Sequence, residues 1–214
     1  AWWCRHHHFQ TLYPTLFRRR TTLALINERF ELPDGDFIDL SWTEKKQSSP
    51  IVILLHGLEG SINSPYAKGI LKTIHNNGWQ GVLMHFRGCG GEHNKLDRGY
   101  HSGETGDLDT FIKRLKTRHP DRQLAVIAVS LGGNVLLKYL GEQGQQCPLA
   151  AALAVSVPFD LSDSARKLDT GFSKIYQRHL IERLNKKMHD KFKDRPAPFD
   201  ISDITSGILS LVMF

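Results

Sequence analysis

Four short apolar runs, separated by stretches with helical periodicity, constrain the fold of this chain more than any other feature. The runs are IVILLH (51–56), GVLMHF (81–86), LAVIAV (124–129) and AALAVSV (151–157). Each run is apolar at nearly every position, which is typical of a strand that is buried on both faces of a parallel sheet. Strands that alternate with helices in this way predict an α/β protein with a mostly parallel, doubly wound sheet.

The segments around these runs predict the remaining elements. A helix is expected over Tyr66–His75, and GNVLLKYLGEQ predicts another directly after the third run. FELPDGDFIDLSW (30–42) alternates around a PDG turn signal, as an antiparallel hairpin does. GDLDTFIKRLKTR predicts an amphipathic helix. Its apolar face comprises Leu108, Phe111, Ile112 and Leu115.

The net charge of +6 is unevenly distributed along the chain. Residues 1–20 contain four arginines and no acidic residue, and residues 163–195 contain ten Lys or Arg against five Asp or Glu. The long segment between them is nearly neutral. Two basic segments that flank a neutral middle do not form the continuous basic stripe of a nucleic-acid-binding surface. We therefore expect no nucleic-acid partner.

The apolar stretches and the cysteines set further limits. No stretch approaches the roughly 20 apolar residues of a membrane-spanning helix. Cys4, Cys89 and Cys147 are far apart, which argues against a disulfide framework and predicts a reducing, cytoplasmic environment. Consecutive residues on an arm rarely converge on one ion, so Cys4 with the histidines at 6–8 does not predict a metal site. We expect no metal and no organic cofactor.

The sequence AVSLGGN places a serine between a predicted buried strand and a predicted helix. A nucleophilic serine at such an elbow has a strained backbone and needs small residues two positions before and after it. Ala128 and Gly132 meet this need, and Gly133 allows further close approach. The elbow would raise the Ser130 hydroxyl above the carboxyl edge of the sheet. It would also place the N–H of Leu131 at a helix N-terminus, where it can stabilise an oxyanion.

A second glycine turn, in LLHGLEG, directly follows the first apolar run. In an α/β-hydrolase, a loop at this point of the chain supplies the other oxyanion donor. The predicted second donor is then the N–H of Leu58, after the His56–Gly57 turn, and we expect His56 itself to be structural. The alternative is that both sequences are tight glycine turns in an unrelated doubly wound fold.

Several motifs resemble, in order, the YheT-type branch of the α/β-hydrolases. They are HFQTLYPTLFRR, LPDGDFIDLSW, LLHGLEGSINSPYA, GVLMHFRGCGGE, YHSGET, AVSLGGN and GFSKIYQRHL, and the resemblance extends from about His8 to about Ser206. The resemblance implies the α/β-hydrolase fold and a serine hydrolase that cleaves carboxylic esters, with Ser130 as the nucleophile. Relatives usually have glycine at the position of Ala128, a departure of little consequence because both residues are small.

The same resemblance implies a catalytic acid and then a histidine downstream of Ser130, on loops after the last strands. The strands that would carry those loops are not found between residues 131 and 214. His179 and His189 fall within a predicted basic helix, and we expect both to be solvated. The tail GILSLVMF does not resemble the family. We therefore expect a truncated or frameshifted chain that lacks the acid and the base.

These features predict four segments: an N-terminal arm (1–20), an incomplete α/β-hydrolase core (21–158), a lid of cap helices (159–206) and a tail outside the family (207–214). The lid's apolar face packs on the core, whether or not it also covers the site, and its basic face predicts a weak contact with a membrane surface. The apolar face comprises Phe172, Ile175, Tyr176, Leu180, Leu184 and Met188, and the basic face comprises Lys174, Arg178, Arg183, Lys186 and Lys187.

Three more side chains have predicted roles. His85 and Cys89 flank the loop after the second apolar run, and we expect them to line the substrate pocket. No elbow surrounds Cys89, so it is not a predicted nucleophile. Ser102 is expected to cap the N-terminus of the following helix.

Two functional hypotheses follow from the sequence. The first is a carboxylic ester hydrolase whose partner is a small-molecule ester or a lipid-like substrate. The second is a non-catalytic fragment, pseudoenzyme or interaction protein on the same fold, because a serine without a base is a poor nucleophile. Under the second hypothesis the last apolar run leaves an unpaired strand edge, which predicts low solubility.

Overall fold

A computed structural model of the chain describes residues 21–45 and 48–198. The predicted N-terminal arm, the predicted tail and the last residues of the predicted lid lie outside these ranges, and so do Cys4 and the histidines at 6–8. The described strands are β1 (Ile26–Glu31), β2 (Phe37–Trp42), β3 (Ile51–Leu55), β4 (Gln80–Met84), β5 (Leu124–Val129) and β6 (Ala151–Val155). The described α-helices are α1 (Ala67–Asn76), α2 (Gly106–Arg118), α3 (Leu131–Gln143), α4 (Leu161–Leu168) and α5 (Lys174–Lys191).

The six strands form one sheet in the order β1-β2-β4-β3-β5-β6. Strands β3 to β6 run parallel to one another, with β3 between β4 and β5. β1 and β2 form the predicted antiparallel hairpin, which joins the sheet along β4. The hairpin turns at Gly35, whose φ of +82° lies in the left-handed region that favours glycine. The mostly parallel sheet confirms the fold class predicted from the four apolar runs.

Helices cover both faces of the sheet, as a doubly wound fold requires. Alternate residues of β3 point to opposite faces, so Val52 and Leu54 meet the helix α1 while Ile53 faces α2 and α3. The buried residues of α1 are Ala67, Leu71 and Ile74. The apolar face predicted for α2 is buried in full, at Leu108, Phe111, Ile112 and Leu115.

A buried ion cluster joins the hairpin to α2. The Arg87 side chain is 1% exposed and donates to both carboxylate oxygens of Asp107, at 2.7 Å each. It also contacts Asp34 at 2.7 Å and Asp36 at 3.2 Å, both next to the hairpin turn. Because a buried charge is tolerated only when it is paired, this cluster holds the loop after β4 in place. Sequence analysis did not predict it.

Candidate active site

Ser130 lies at a sharp turn between β5 and α3. Its backbone angles are φ +54° and ψ −123°, a conformation that non-glycine residues rarely adopt. Its N–H donates to the carbonyl oxygen of Val155 at 2.9 Å, and its own carbonyl accepts from the N–H of Gly133 at 2.7 Å. These two bonds hold the strained residue between the edge strand β6 and the first turn of α3.

The predicted small residues stand where the backbone approaches other parts of the chain closely. Ala128 is fully buried in β5. A Cβ atom at Gly132 would lie 2.6 Å from the carbonyl oxygen of His56, and one at Gly133 would lie 2.5 Å from Val157 Cγ2. Both distances are shorter than van der Waals contact. The contact at Gly132 is with the backbone, so α3 reaches its place beside β3 only with glycine there, whereas a side chain at position 133 would require the Val157 side chain to move.

The glycine turn after β3 faces the serine. A Cβ atom at Gly57 would lie 3.1 Å from Ser130 Cβ and 3.6 Å from Ser130 Oγ. The Gly57 N–H donates to the Tyr66 hydroxyl at 2.9 Å, which fixes the start of this turn from α1's side. The absence of a side chain at position 57 therefore lets the two turns lie against each other.

His56 is a structural residue within this turn. Its Nε2 accepts from the Phe86 N–H at 3.1 Å, so its Nδ1 carries the hydrogen and donates to the Gly57 carbonyl at 2.7 Å. The ring is fully buried, and burial lowers the pKa of His56 to about 3. It is therefore neutral in the folded protein.

Leu58 and Leu131, the predicted oxyanion donors, line the same cavity as Ser130. Leu58 follows the glycine turn, and Leu131 is the first residue of α3. Within residues 21–45 and 48–198, neither backbone N–H donates to a protein acceptor. Two unengaged N–H groups beside a hydroxyl are an arrangement that can hold a developing negative charge on an oxygen atom.

The cavity has a volume of about 160 Å³ and walls that are mostly apolar. Helices α4 and α5, with Pro158 before α4, contribute much of the lining. The lining residues from this part of the chain are Pro158, Leu161, Ser164, Ala165, Leu168, Leu180 and Leu184. Residues of the segment predicted as a lid thus line the cavity that also contains Ser130, and the predicted extent of that segment, 159–206, runs past the last described residue.

Four expectations for individual residues are wrong, those for Ile175, Ser102, Cys89 and His85. Ile175, assigned to the apolar face of the lid, is 59% exposed, because it lies on the outer side of α5. Ser102 does not cap α2: that helix begins at Gly106 after Thr105, and Ser102 instead lines the cavity. Cys89 does not line the cavity. On the same apolar face, Leu184 and Met188 are buried as expected, and the side chains of Phe172 and Tyr176 are outside the description.

The histidines among the described residues do not interact with Ser130 through a hydrogen bond. His85 is buried, where its ring nitrogens bond to the Ser41 hydroxyl and the Cys89 carbonyl at 3.1 Å each, so it does not line the cavity either. His179 and His189 are exposed on α5, as expected. Among the residues described, no histidine side chain is hydrogen-bonded to Ser130 Oγ, and no group of three metal-ligating side chains converges.

A polar cluster behind the glycine turn was missed by sequence analysis. Glu59, the residue after Leu58, is 8% exposed and has a φ of +50°. Its partners are Tyr100, Arg183 and Lys187. The partners stand 41, 124 and 128 residues away along the chain, so only the folded structure brings them together. A buried glutamate inside an otherwise apolar and glycine-rich stretch was the one sequence signal available.

The chain belongs to the α/β-hydrolase fold family, because a sequence model of that family matches residues 50–202. It is 43% identical over 198 residues to YheT of Escherichia coli K12, a candidate esterase, which confirms the resemblance to the YheT-type branch. That match covers 91% of this chain and 58% of YheT. Phospholipase ABHD3 of Homo sapiens is 31% identical over 77% of this chain and 43% of that protein.

Solved structures agree on the fold. The esterase Pf2001 of Pyrococcus furiosus superposes with a TM-score of 0.59 at 20% identity, over 89% of this chain and 71% of that one. The chain thus spans about half the length of the curated relatives cited here. In the part of the chain described, no helix is both long and apolar enough to cross a bilayer.

Proposed function

We propose that this chain carries the nucleophile and the oxyanion site of a serine hydrolase that acts on carboxylic esters. The observation that carries the proposal is Ser130 in a left-handed conformation, lining an apolar cavity and lying against the Gly57 turn. Such strain persists only where surrounding structure enforces it, and it clusters at active sites. Family membership and the esterase names of relatives give independent support.

The mechanism follows from the residues around the cavity. Ser130 Oγ attacks the ester carbonyl carbon, and its proton passes to a general base, which the proposal does not assign to any described residue. The N–H groups of Leu58 and Leu131 stabilise the oxyanion, aided by the positive end of the α3 dipole. The alcohol then leaves with a proton, and water hydrolyses the acyl-serine ester to regenerate the hydroxyl.

The lining of the cavity indicates the kind of substrate. A small, apolar cavity binds an acyl chain through burial of its methylene groups, each of which contributes about 0.8 kcal/mol. We therefore propose a small-molecule or lipid-like ester as the substrate. The exposed Lys174 and Arg178 on α5 support the predicted weak contact with an anionic membrane surface. The cytoplasmic location predicted from the cysteines is part of the same proposal.

An active-site-directed fluorophosphonate tests the nucleophile. The probe is added to the full-length gene product and to its Ser130→Ala variant, and labelling is followed by mass spectrometry. We expect one label on the parent protein and none on the variant. Ser156→Ala is a matched control, since Ser156 also has a φ of +54° but is exposed at the end of β6. Labelling that persists in Ser130→Ala would overturn the proposal.

A second candidate function is that of a non-catalytic interaction protein on this fold. It is favoured by the lack of any histidine hydrogen-bonded to Ser130 within residues 21–45 and 48–198. A serine without a base reacts slowly at neutral pH. The same probe separates the two candidates: a folded full-length product that takes up no label over hours supports the interaction protein, and rapid labelling supports the hydrolase.

A further inference from the structure

We propose that helix α5 positions the oxyanion donor Leu58 through a clamp on the buried Glu59, formed by Lys187, Arg183 and Tyr100. The inference rests on the proposed function, because it assigns Leu58 the role of a donor. It goes further in making three residues with no contact to the reacting atoms into positioning residues. It also means that the oxyanion site forms only when α5 is packed in its observed place.

The peptide bond that contains the Leu58 N–H is held through its carbonyl group. The Gly57 carbonyl accepts from His56 Nδ1 at 2.7 Å and from the Gly60 N–H at 2.9 Å. In a trans peptide the N–H points away from the C=O. The Leu58 N–H must therefore point to the side opposite His56.

The next peptide bond along the chain is held by Tyr100. The Glu59 N–H donates to the Tyr100 hydroxyl at 2.7 Å, and that hydroxyl donates to Glu59 Oε1 at 2.8 Å. The two bonds close a ring that holds both the backbone and the side chain of Glu59. The Tyr100 ring is itself stacked on Phe86, with a centroid distance of 5.0 Å and an interplanar angle of 9°. Leu58 thus lies between two fixed peptide planes.

Two side chains of helix α5 donate hydrogen bonds to the same glutamate. Lys187 Nζ donates to Glu59 Oε1 at 2.9 Å, and the Arg183 guanidinium donates to the Glu59 carbonyl at 2.8 Å. Arg183 and Lys187 are one helical turn apart and share a face. One turn of α5 therefore holds both the side chain and the main chain of the residue next to Leu58.

Burial makes the Glu59–Lys187 pair a strong constraint. The side chains of Glu59 and Lys187 are 8% and 12% exposed, so solvent screens their attraction little. Lys187 Nζ also lies 4.8 Å from the centroid of the Tyr100 ring and 3.2 Å from Cys89 Sγ. Removing the lysine would leave a buried carboxylate without its cation, which is costly. Glu59, strained at a φ of +50°, depends on these partners to keep its conformation.

The same helix also contacts the cavity. Leu180 and Leu184 of α5 line the space beside Ser130, and Leu184 is the residue directly after Arg183. A substrate that packs against these leucines therefore presses on the helix that holds Glu59. We infer that filling the cavity with an acyl chain and forming the oxyanion site are coupled through α5.

The test separates binding from chemistry in the full-length gene product. Inactivation by the fluorophosphonate is measured over a range of probe concentrations, which gives a binding constant KI and a rate constant kinact. Loss of a whole oxyanion donor reduces rates by about 100-fold or more, so we expect a displaced donor in Lys187→Met to lower kinact by about 10-fold. KI should change little, since the apolar lining is intact. Tyr100→Phe should act in the same direction, and Lys187→Arg should restore most of the rate.

Lys193→Met is the matched control, because this exposed lysine follows α5 and its loss makes the same change in charge. It should leave kinact unchanged. Circular dichroism checks that each variant is folded, and hydrogen exchange of the 56–61 segment reports on the turn without any labelling. We expect faster exchange there in Lys187→Met, with exchange in α1 unaffected.

The outcomes separate this inference from the proposed function. If the parent protein takes up no label, the proposed function fails, and the hydrogen exchange alone decides whether α5 holds the turn. If Lys187→Met is folded and matches the parent in both kinact and exchange, the clamp does not position Leu58. An equal loss in Lys193→Met would also overturn the inference, since the effect would then be one of net charge.

Discussion

Strands β3 and β6 have similar sequences and opposite environments. Both are five residues long and entirely apolar, IVILL in β3 and AALAV in β6. Every residue of β3 is buried, whereas Leu153 and Val155 of β6 are 54% and 40% exposed. Among the strands of residues 21–45 and 48–198, β3 has a neighbour on each side and β6 pairs only with β5. Apolar composition therefore predicts a strand, and the number of neighbouring elements decides how deeply that strand is buried.

The contrast extends to what each strand contributes. β3 leads into the glycine turn and Leu58, so its burial anchors one half of the candidate site. β6 supplies the carbonyl of Val155 that holds the Ser130 N–H, yet its outer edge is unpaired within the described sheet. An apolar strand with an open edge is a template for pairing with another chain.

A matched pair of leucine substitutions gives the largest expected difference between the two strands. Leu54 in β3 is fully buried, so Leu54→Ala should lower the free energy of unfolding by about 2–5 kcal/mol. Leu153→Ala in β6 removes the same atoms from a half-exposed site and should cost under about 1 kcal/mol. Urea denaturation followed by circular dichroism measures both. Equal losses would mean that β6 is covered in solution, contrary to the described sheet.

A smaller effect concerns the pH dependence of stability, and it tests whether His56, the residue after β3, is shielded from water. His56 has a pKa of about 3 when folded and about 6.5 when unfolded, because burial disfavours its charged form. The unfolded chain therefore binds one more proton between these values. The stability that neutral His56 contributes is complete above about pH 6.5 and is lost as the pH falls toward 3, by about 1.4 kcal/mol per pH unit.

The contribution of His56 to the slope of the free energy of unfolding against pH is isolated by comparing variants. The free energy of unfolding is measured in urea at several pH values between about 6 and 4. His56→Gln should reduce the slope of the free energy of unfolding against pH by the contribution of about one proton. His179→Gln, which alters an exposed histidine on α5, should leave the slope as in the parent. A slope that is the same in all three proteins would show that His56 is accessible to water.

The smallest effect on stability is expected at the unpaired edge of β6. A substitution there should change self-association of the chain instead of the free energy of unfolding. We expect the chain of 214 residues to self-associate through β6. Leu153→Lys places a charge on that edge, which opposes strand pairing between chains. It should shift sedimentation velocity profiles toward the monomer while changing the free energy of unfolding by less than about 0.5 kcal/mol. A parent chain that is already monomeric at high concentration would contradict the prediction.

Most of the fold could be predicted from the sequence because its determinants are local. Each apolar run is bounded by its own turn residues, and the helix α2 shows its buried face in the spacing of Leu108, Phe111, Ile112 and Leu115. The glycines of the elbow could be predicted for the same reason. Close approach of two backbones requires small residues at fixed offsets from Ser130, whatever the rest of the chain does.

The parts that could not be predicted depend on contacts between distant residues. The Arg87 cluster joins residues from three separate elements, and the clamp on Glu59 joins the glycine turn to α5. Ser102 was assigned to a helix cap from local sequence alone, but the loop instead carries it to the cavity wall. The roles predicted for Ser130, Leu58 and Leu131 stay predictions until the labelling experiment is done.

The left-handed backbone of Ser130 has a consequence for how this chain can evolve. Glycine would adopt the same φ of +54° without steric cost, so at this position the fold alone favours a residue with no hydroxyl group. Under the proposed function, a lineage that no longer uses Ser130 as a nucleophile could exchange it for glycine without steric cost to the fold. Such an exchange would then mark the loss of the proposed activity before any change in the architecture became visible.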